Sequence, residues 1–176
     1  QDAQVPSFKP NGIRFRSLPN ELVRILCQKI DAVTKDLYKG GLIKKTPLWR
    51  MQGLSEMTGK EVYLKDESGQ FAGSFKIRGV VVEVEEAIKQ HIKTLKAKPE
   101  IRNKPFYIVT QTDGNHGIAM IEAVRLVIEK YRKIYPDIET GINKIEPIVF
   151  TIQSLAQIKK EQMEDTLGRY RKSVNS

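Results

Sequence analysis

Two short polar loops, each flanked by glycine and each set between an apolar run and a helix-like pattern, limit what this chain can fold into. The first is Gly73-Ser74-Phe75-Lys76-Ile77-Arg78-Gly79, preceded by the acidic-polar run Lys65-Asp66-Glu67-Ser68-Gly69-Gln70. The second is Thr112-Asp113-Gly114-Asn115-His116-Gly117. Strand, polar turn and helix in repetition is the layout of an open α/β sheet. Ligands settle there at the carboxyl ends of the strands, against helix N-termini. Lys76 falls at the start of a helical pattern, where the macrodipole disfavours a positive charge. A neutral or covalently engaged amine is easier to reach at that position. Read alone, Ser-Phe-Lys is equally a solvated lysine at a helix start.

Residues 1–19 carry Pro6, Pro10, Gly12 and Pro19 without periodicity and read as an irregular arm. Asn20 caps a helix over 21–38, with Leu22, Ile25, Leu26, Ile30 and Val33 on one face and Gly40-Gly41 as its stop. An extended segment follows to Arg50, since Pro47 excludes a helix interior. A short helix over 51–57 stops at Gly59, and Glu61–Lys65 reads as a strand. Ser74 is an N-cap for a helix whose stripe is Phe75, Val80, Val81, Val84, Ile88, Ile92 and Leu95. His91 falls on its polar face, and 93–104 reads as a basic linker. Phe106–Thr110 has the continuous apolar character of a buried parallel strand. A helix over 118–134 halts at Pro136, and Pro147–Thr151 is the next strand. Ser154 caps a last helix that runs to Leu167 and stops at Gly168. Three successive β-then-α units predict an α/β fold, a three-layer α-β-α arrangement with a small parallel sheet and right-handed crossovers. The arm and first helix occupy 1–45, and a single domain occupies 46–176.

Composition narrows the function classes. The 176 residues suffice for one domain, or one and a fraction. No apolar run approaches the roughly 20 residues that span a bilayer, and the first ten residues lack an apolar signal core. A cytosolic protein without a membrane partner is expected. A single cysteine, Cys27, excludes an internal disulfide and reads as a buried structural thiol. The net charge is +9. Its lysines and arginines are mixed with acids along helices and are not interleaved with aromatic residues. Solvated helix faces explain the excess, and no nucleic-acid partner is expected. His91 and His116 do not form a metal site together. Asp66 and Glu67 read as loop support.

Taken together, and in this order with a helix between them, the two loops resemble those of the fold-type II pyridoxal-phosphate enzymes. This tryptophan-synthase-β-like group includes threonine/serine dehydratases, serine racemases and diaminopropionate ammonia-lyases. The resemblance runs from about Thr46 to Gly168. It implies that the chain is the family's smaller, N-terminal cofactor domain, and that Lys76 is the amine that condenses with the aldehyde of pyridoxal phosphate. Asn115 then hydrogen-bonds the cofactor's ring oxygen, Gly114 lets the backbone approach the ring, and Phe75 adds apolar bulk beside the lysine. Ser74 positions a substrate carboxylate or merely caps its helix. Asp113 is a second acid–base opposite the lysine, as in diaminopropionate ammonia-lyases, or an Asx-turn carboxylate bonding its own loop. The lysine string is nearer to dehydratases and racemases.

The family's glycine-rich phosphate loop and its Ser, Thr or Cys facing the pyridine nitrogen are not visible in this chain. The implied reading is therefore the N-terminal portion of an amino-acid ammonia-lyase or dehydratase, without its larger C-terminal domain. Such a portion is expected to be inactive alone and a homodimer at full length, with a small amino acid as substrate. Two alternatives stand beside it: a naturally short, non-catalytic binding or regulatory relative, and a basic nucleic-acid module with salt-dependent binding.

Overall fold

The alternation of helical and extended patterning is realised in the computed structural model, which describes residues 20–112, 114–151 and 156–175. In chain order its elements are α1 (Asn20–Lys39), β1 (Leu48–Arg50), α2 (Gln52–Thr58), β2 (Tyr63–Lys65) and α3 (Ile77–Ala97). They continue with β3 (Phe106–Thr112), α4 (Asn115–Ile134), α5 (Glu139–Ile142), β4 (Ile145–Thr151) and α6 (Gln157–Val174). The expected arm, Asp113 and the Ser154 cap lie outside the described residues, as do the side chains of Asn20, Leu22, Leu26 and Cys27.

The chain divides after Thr34 into two units. In the first, residues 20–34 are helical, and Ile25, Ile30 and Val33 are exposed. The second unit, from Lys35 onward, is a mixed α/β body around one aliphatic core. The helical period brings Ile77, Val81, Ile88 and Leu95 of α3 to full burial, opposite Ile121, Val124, Val127 and Ile128 of α4. Each such side chain contributes about 1.5–3 kcal/mol on leaving water. Ile138, Ile142 and Ile145 close the core below Pro136, where α4 ends.

A small parallel sheet forms from β3 and β4, in register from Phe106↔Ile145 to Thr112↔Thr151. The strand expected at 61–65 joins a different partner. It pairs antiparallel with β1, Trp49 opposite Leu64. Short α2 returns the chain on itself, and the Met51 N–H to Val62 O and Asp66 N–H to Pro47 O bonds extend the pairing. β2 therefore lies in a two-stranded sheet of its own with β1, apart from the parallel pair. Helices pack on the face of the parallel pair that carries Phe106, Thr112 and Val149. On the opposite face Tyr107, Val109 and Phe150 remain exposed.

Three boundaries differ from expectation. The supposed linker 93–104 is helical through Ala97 and then forms a 3-10 turn at Pro99–Ile101. Its Leu95 belongs to the core stripe. His91 is not on a polar face: it is buried and stacks on Phe106, ring centroids 4.0 Å apart. Gly168 does not stop α6, because the buried Tyr170 two residues later donates to Ile145 O and draws the helix on to Val174. Between α3 and α4 the buried Glu85 accepts from Lys130 Nζ at 2.7 Å and from Tyr131 at 3.2 Å. Burial raises the Glu85 pKa, yet the Lys130 and Lys89 charges and the Tyr131 bond together hold it below the usual carboxylate value.

Candidate functional site

The first loop is tied by side chains to residues 38–46. Buried Gln70 uses its carboxamide as a strand would use a peptide. Its Nε2 donates to Lys44 O at 2.6 Å, and its Oε1 accepts from Lys44 N at 3.1 Å. Arg78, in the first turn of α3, forks onto Glu67: Nε donates to Oε2 at 2.7 Å and Nη2 to Oε1 at 3.0 Å. The same guanidinium donates to the Tyr38 hydroxyl at 3.0 Å and to Thr46 Oγ1 at 3.2 Å. Thr46 in turn donates to Glu67 Oε1 at 2.6 Å. The Arg78 bonds hold the Glu67 carboxyl below its usual range, against the opposing effect of burial. The loop then turns through Gly73, whose φ of 63° is a left-handed conformation that a side chain would strain. Asp66 and Glu67 are thus loop support, as expected, while the reach of Arg78 and Gln70 is a finding of the fold.

At the lysine, the local helix start differs from the sequence reading. Ser74 caps nothing, and its Oγ is buried without a hydrogen-bond partner. The α-helix begins three residues later, at Ile77, with Lys76 in the cap position at φ −55° and ψ −33°. The N–H groups of Arg78 and Val80 are satisfied by Phe75 O and Lys76 O, so the turn itself does the capping. Lys76 and Phe75 are both exposed, the amine 4.9 Å from the ring centroid. Ile77, on the other side of Lys76, is fully buried in the core. The two apolar neighbours therefore point apart.

The second loop closes off β3. Thr112 is buried, and its Oγ1 accepts the Gly114 N–H at 3.1 Å. Asn115 is the first residue of α4, and the Gly117 N–H turns back to Gly114 O at 3.0 Å. Asn115 Oδ1 accepts from Lys159 Nζ of α6 at 2.6 Å, and Lys159 also donates to Gln162 Oε1 at 3.1 Å. Lys159 and Gln162 escaped sequence reasoning. Lys159 lies 44 residues beyond Asn115, and no periodicity links them.

The two loops meet at the carboxyl end of β3. Phe71, Gly73, Asn115, Lys159, Gln162 and Arg169 line a cavity of about 280 Å³ there. Gly73 and Asn115 are brought together, while Lys76 is not among the residues lining this cavity. An ammonium, two carboxamides and a guanidinium paired with the Asp165 carboxylate make its wall a set of donors and acceptors suited to a polar small molecule. Among the described residues, no group of three or more His, Cys, Asp and Glu is placed to hold a metal. None of their helices is long and apolar enough to cross a membrane.

The chain is similar in sequence to several known proteins. Serine racemase of Bos taurus is 37% identical over 135 residues, which are 72% of this chain and 38% of that protein. L-serine dehydratase/L-threonine deaminase of Mus musculus is 38% identical over 81 residues, 46% of this chain and 21% of that protein. A putative threonine dehydratase of Sinorhizobium fredii is 26% identical over 152 residues, 82% of this chain and 42% of that protein. The chain thus spans well under half the length of these relatives. The family model described as pyridoxal-phosphate dependent enzyme matches residues 40–132, a stretch that holds both loops. With its loops, its parallel pair and this match in agreement, the chain belongs to the pyridoxal-phosphate dependent enzyme family of fold type II.

Proposed function

We propose that the chain supplies the amine-bearing lobe of a lyase of the dehydratase or ammonia-lyase type, acting on a small amino acid with a leaving group on its β-carbon. The observation that carries this reading is the convergence of the Gly73 and Asn115 loops on one cavity at the end of β3. The residues fit the ring and aldehyde of pyridoxal phosphate in their chemistry. Asn115, on the cavity wall, has no partner for its Nδ2–H groups among the described residues, while the buried, unpaired Ser74 Oγ and the exposed Lys76 amine follow Gly73 just beyond the lining. When bound, the cofactor supplies a sink for the electron pair left on the substrate's α-carbon.

In this reading the Lys76 amine would hold the cofactor through its aldehyde and would serve as the base for the substrate's α-proton. Asn115 donates to the ring oxygen through its uncharged amide. The Ser74 hydroxyl meets the substrate carboxylate. Asp113 is the second acid–base, so that either configuration of the α-carbon can lose its proton. The β-group would depart as the electron pair left on the α-carbon forms the double bond, and it would leave as water or ammonia with the proton that Lys76 took from the α-carbon.

An absorbance scan of the chain with pyridoxal phosphate, wild type against Lys76→Ala, tests the assignment. The expected result is a protein-dependent band that the substitution abolishes; identical spectra overturn it. The exposure of Lys76 outside the cavity favours a second reading, a non-catalytic relative that binds a small ligand between the loops. That reading predicts identical spectra from the two proteins.

A further inference from the structure

Lys159 reaches across from α6 to the carboxamide of Asn115. An ammonium is only a donor, and a carboxamide has one oxygen to accept with and one NH2 to donate with. A 2.6 Å contact from Nζ therefore settles which end of Asn115 faces which way. The oxygen faces Lys159, and the NH2 is left for whatever enters the cavity. Gln162 Oε1, one turn further along α6, accepts a second hydrogen of the same ammonium at 3.1 Å and fixes where Nζ sits. The stem of Lys159 passes over Gly114: a Cβ there would lie 3.7 Å from Lys159 Cδ and 3.8 Å from Cγ. The lysine thus lies along the loop, its stem within contact distance of Gly114. Asp165 is the acid on this wall of the cavity, and it is engaged by Arg169 on its own helix, so Lys159 remains committed to the two amides.

We infer that Lys159 is a positioning residue, which turns the Asn115 carboxamide so that its NH2 faces the ring oxygen of the cofactor. This rests on the assignment of Asn115 made above. The ammonium also polarises the amide it holds, since a charge-assisted bond to the oxygen makes the N–H a stronger donor. An oxygen that carries negative charge is the acceptor such a donor suits.

Two measurements test the inference, and their failures are distinct. The first needs no cofactor. In a nitrogen-15 proton spectrum, the side-chain NH2 pair of Asn115, identified by its loss in Asn115→Ala, is expected to move towards the position of freely exposed amides in Lys159→Met. The backbone signals of α4 are expected to stay in place. An Asn115 pair unmoved by Lys159→Met overturns the inference. The second is a titration with pyridoxal phosphate read by absorbance. Lys159→Met is expected to weaken binding about tenfold, the size of one hydrogen bond to a charged group. In the Asn115→Ala background the same substitution is expected to change nothing further. Additive losses, or relief of the Lys159→Met defect when inorganic phosphate is the competitor, would assign the lysine to the cofactor directly and overturn the positioning role. If wild type and Lys76→Ala give the same spectrum, it is the underlying cofactor assignment that fails, and the inference falls with it.

Discussion

The two loops that border the cavity are held by opposite means. The 66–73 loop hangs from polar side chains: Gln70 pairs with the backbone of Lys44, and Glu67 is gripped by Arg78 and Thr46. The 112–117 loop is held by shape. Gly117 lets α4 lie so close to the parallel strands that a Cβ would stand 2.6 Å from Thr112 Cγ2 and 2.8 Å from Val149 Cγ1. Hydrogen bonds keep most of their strength over a few tenths of an ångström. Packed contacts in a dense interior do not yield so gradually. The loop that leads into the lysine is therefore adjustable and chemically addressable, while the loop that carries the asparagine is a rigid reference.

The largest expected effect comes from filling the close approach. Gly117→Val adds three carbons where neither the Thr112 nor the Val149 neighbour is free to swing aside, since both are β-branched. Overpacking of this kind is expected to cost about 3 kcal/mol, seen as a lower urea midpoint with an unchanged slope. A loss below about 0.5 kcal/mol would show that the second loop yields as easily as a surface site, and the contrast would be broken. Next comes Arg78→Met, which keeps much of the aliphatic stem but leaves Glu67, with 14% of its side chain exposed, only the Lys65 ammonium at 4.0 Å as a charged partner. About 2 kcal/mol is expected from stranding that carboxylate, read in the same denaturation experiment. Glu67→Gln in the Arg78→Met background should recover part of it, because an amide costs less to leave half-paired. No recovery would mean that Arg78 acts by packing, and that the first loop too is held by shape.

Much of this frame was legible in the sequence, and the limits have physical causes. The α3 stripe Val80, Val81, Val84, Ile88, Ile92 and Leu95 is buried as its period demands. Phe75 was counted on that stripe but is exposed, because Ile77 holds the first core position. The apolar runs of β3 and β4 became the parallel pair. The β2 run looked the same to a local reading, but its antiparallel partner was decided by the turn that α2 makes. His91 is polar in type and was placed on the polar face, although a neutral imidazole can stack on Phe106 as a hydrocarbon would. Burial holds its pKa below the ordinary value, in keeping with that neutral form. At the site, the motif pointed to Gly114 and Asn115, and the cavity lies beside them. Arg78 and Lys159 find their partners 11 and 44 residues away in sequence through side-chain ends alone. Such contacts leave no spacing to read.

The smallest effect separates the two kinds of brace by pH. The Arg78 hydrogen bonds depress the Glu67 pKa by more than burial raises it. A carboxyl depressed in the folded state stabilises that state above its unfolded value, about 4.3. That contribution is lost as pH falls through the lower folded value. Protonation of Glu67 weakens its bonds to Arg78 and Thr46 and so loosens the turn that follows. The described bonds of the second loop, Gly114 N–H to Thr112 Oγ1 and Gly117 N–H to Gly114 O, contain no titrating group. Amide exchange therefore offers an internal comparison: the Gln70 and Gly73 N–H groups, bonded to Glu67 O and Gln70 O, against the Gly117 N–H. After correction for intrinsic exchange, the ratio of first-loop to second-loop rates is expected to rise about threefold between about pH 5 and pH 3. In Glu67→Gln the ratio should already be raised at the upper pH and should stay flat. A wild-type ratio that does not move with pH would mean that Gln70 alone secures the first loop, and the part of the contrast assigned to the Arg78–Glu67 clamp would have to be given up.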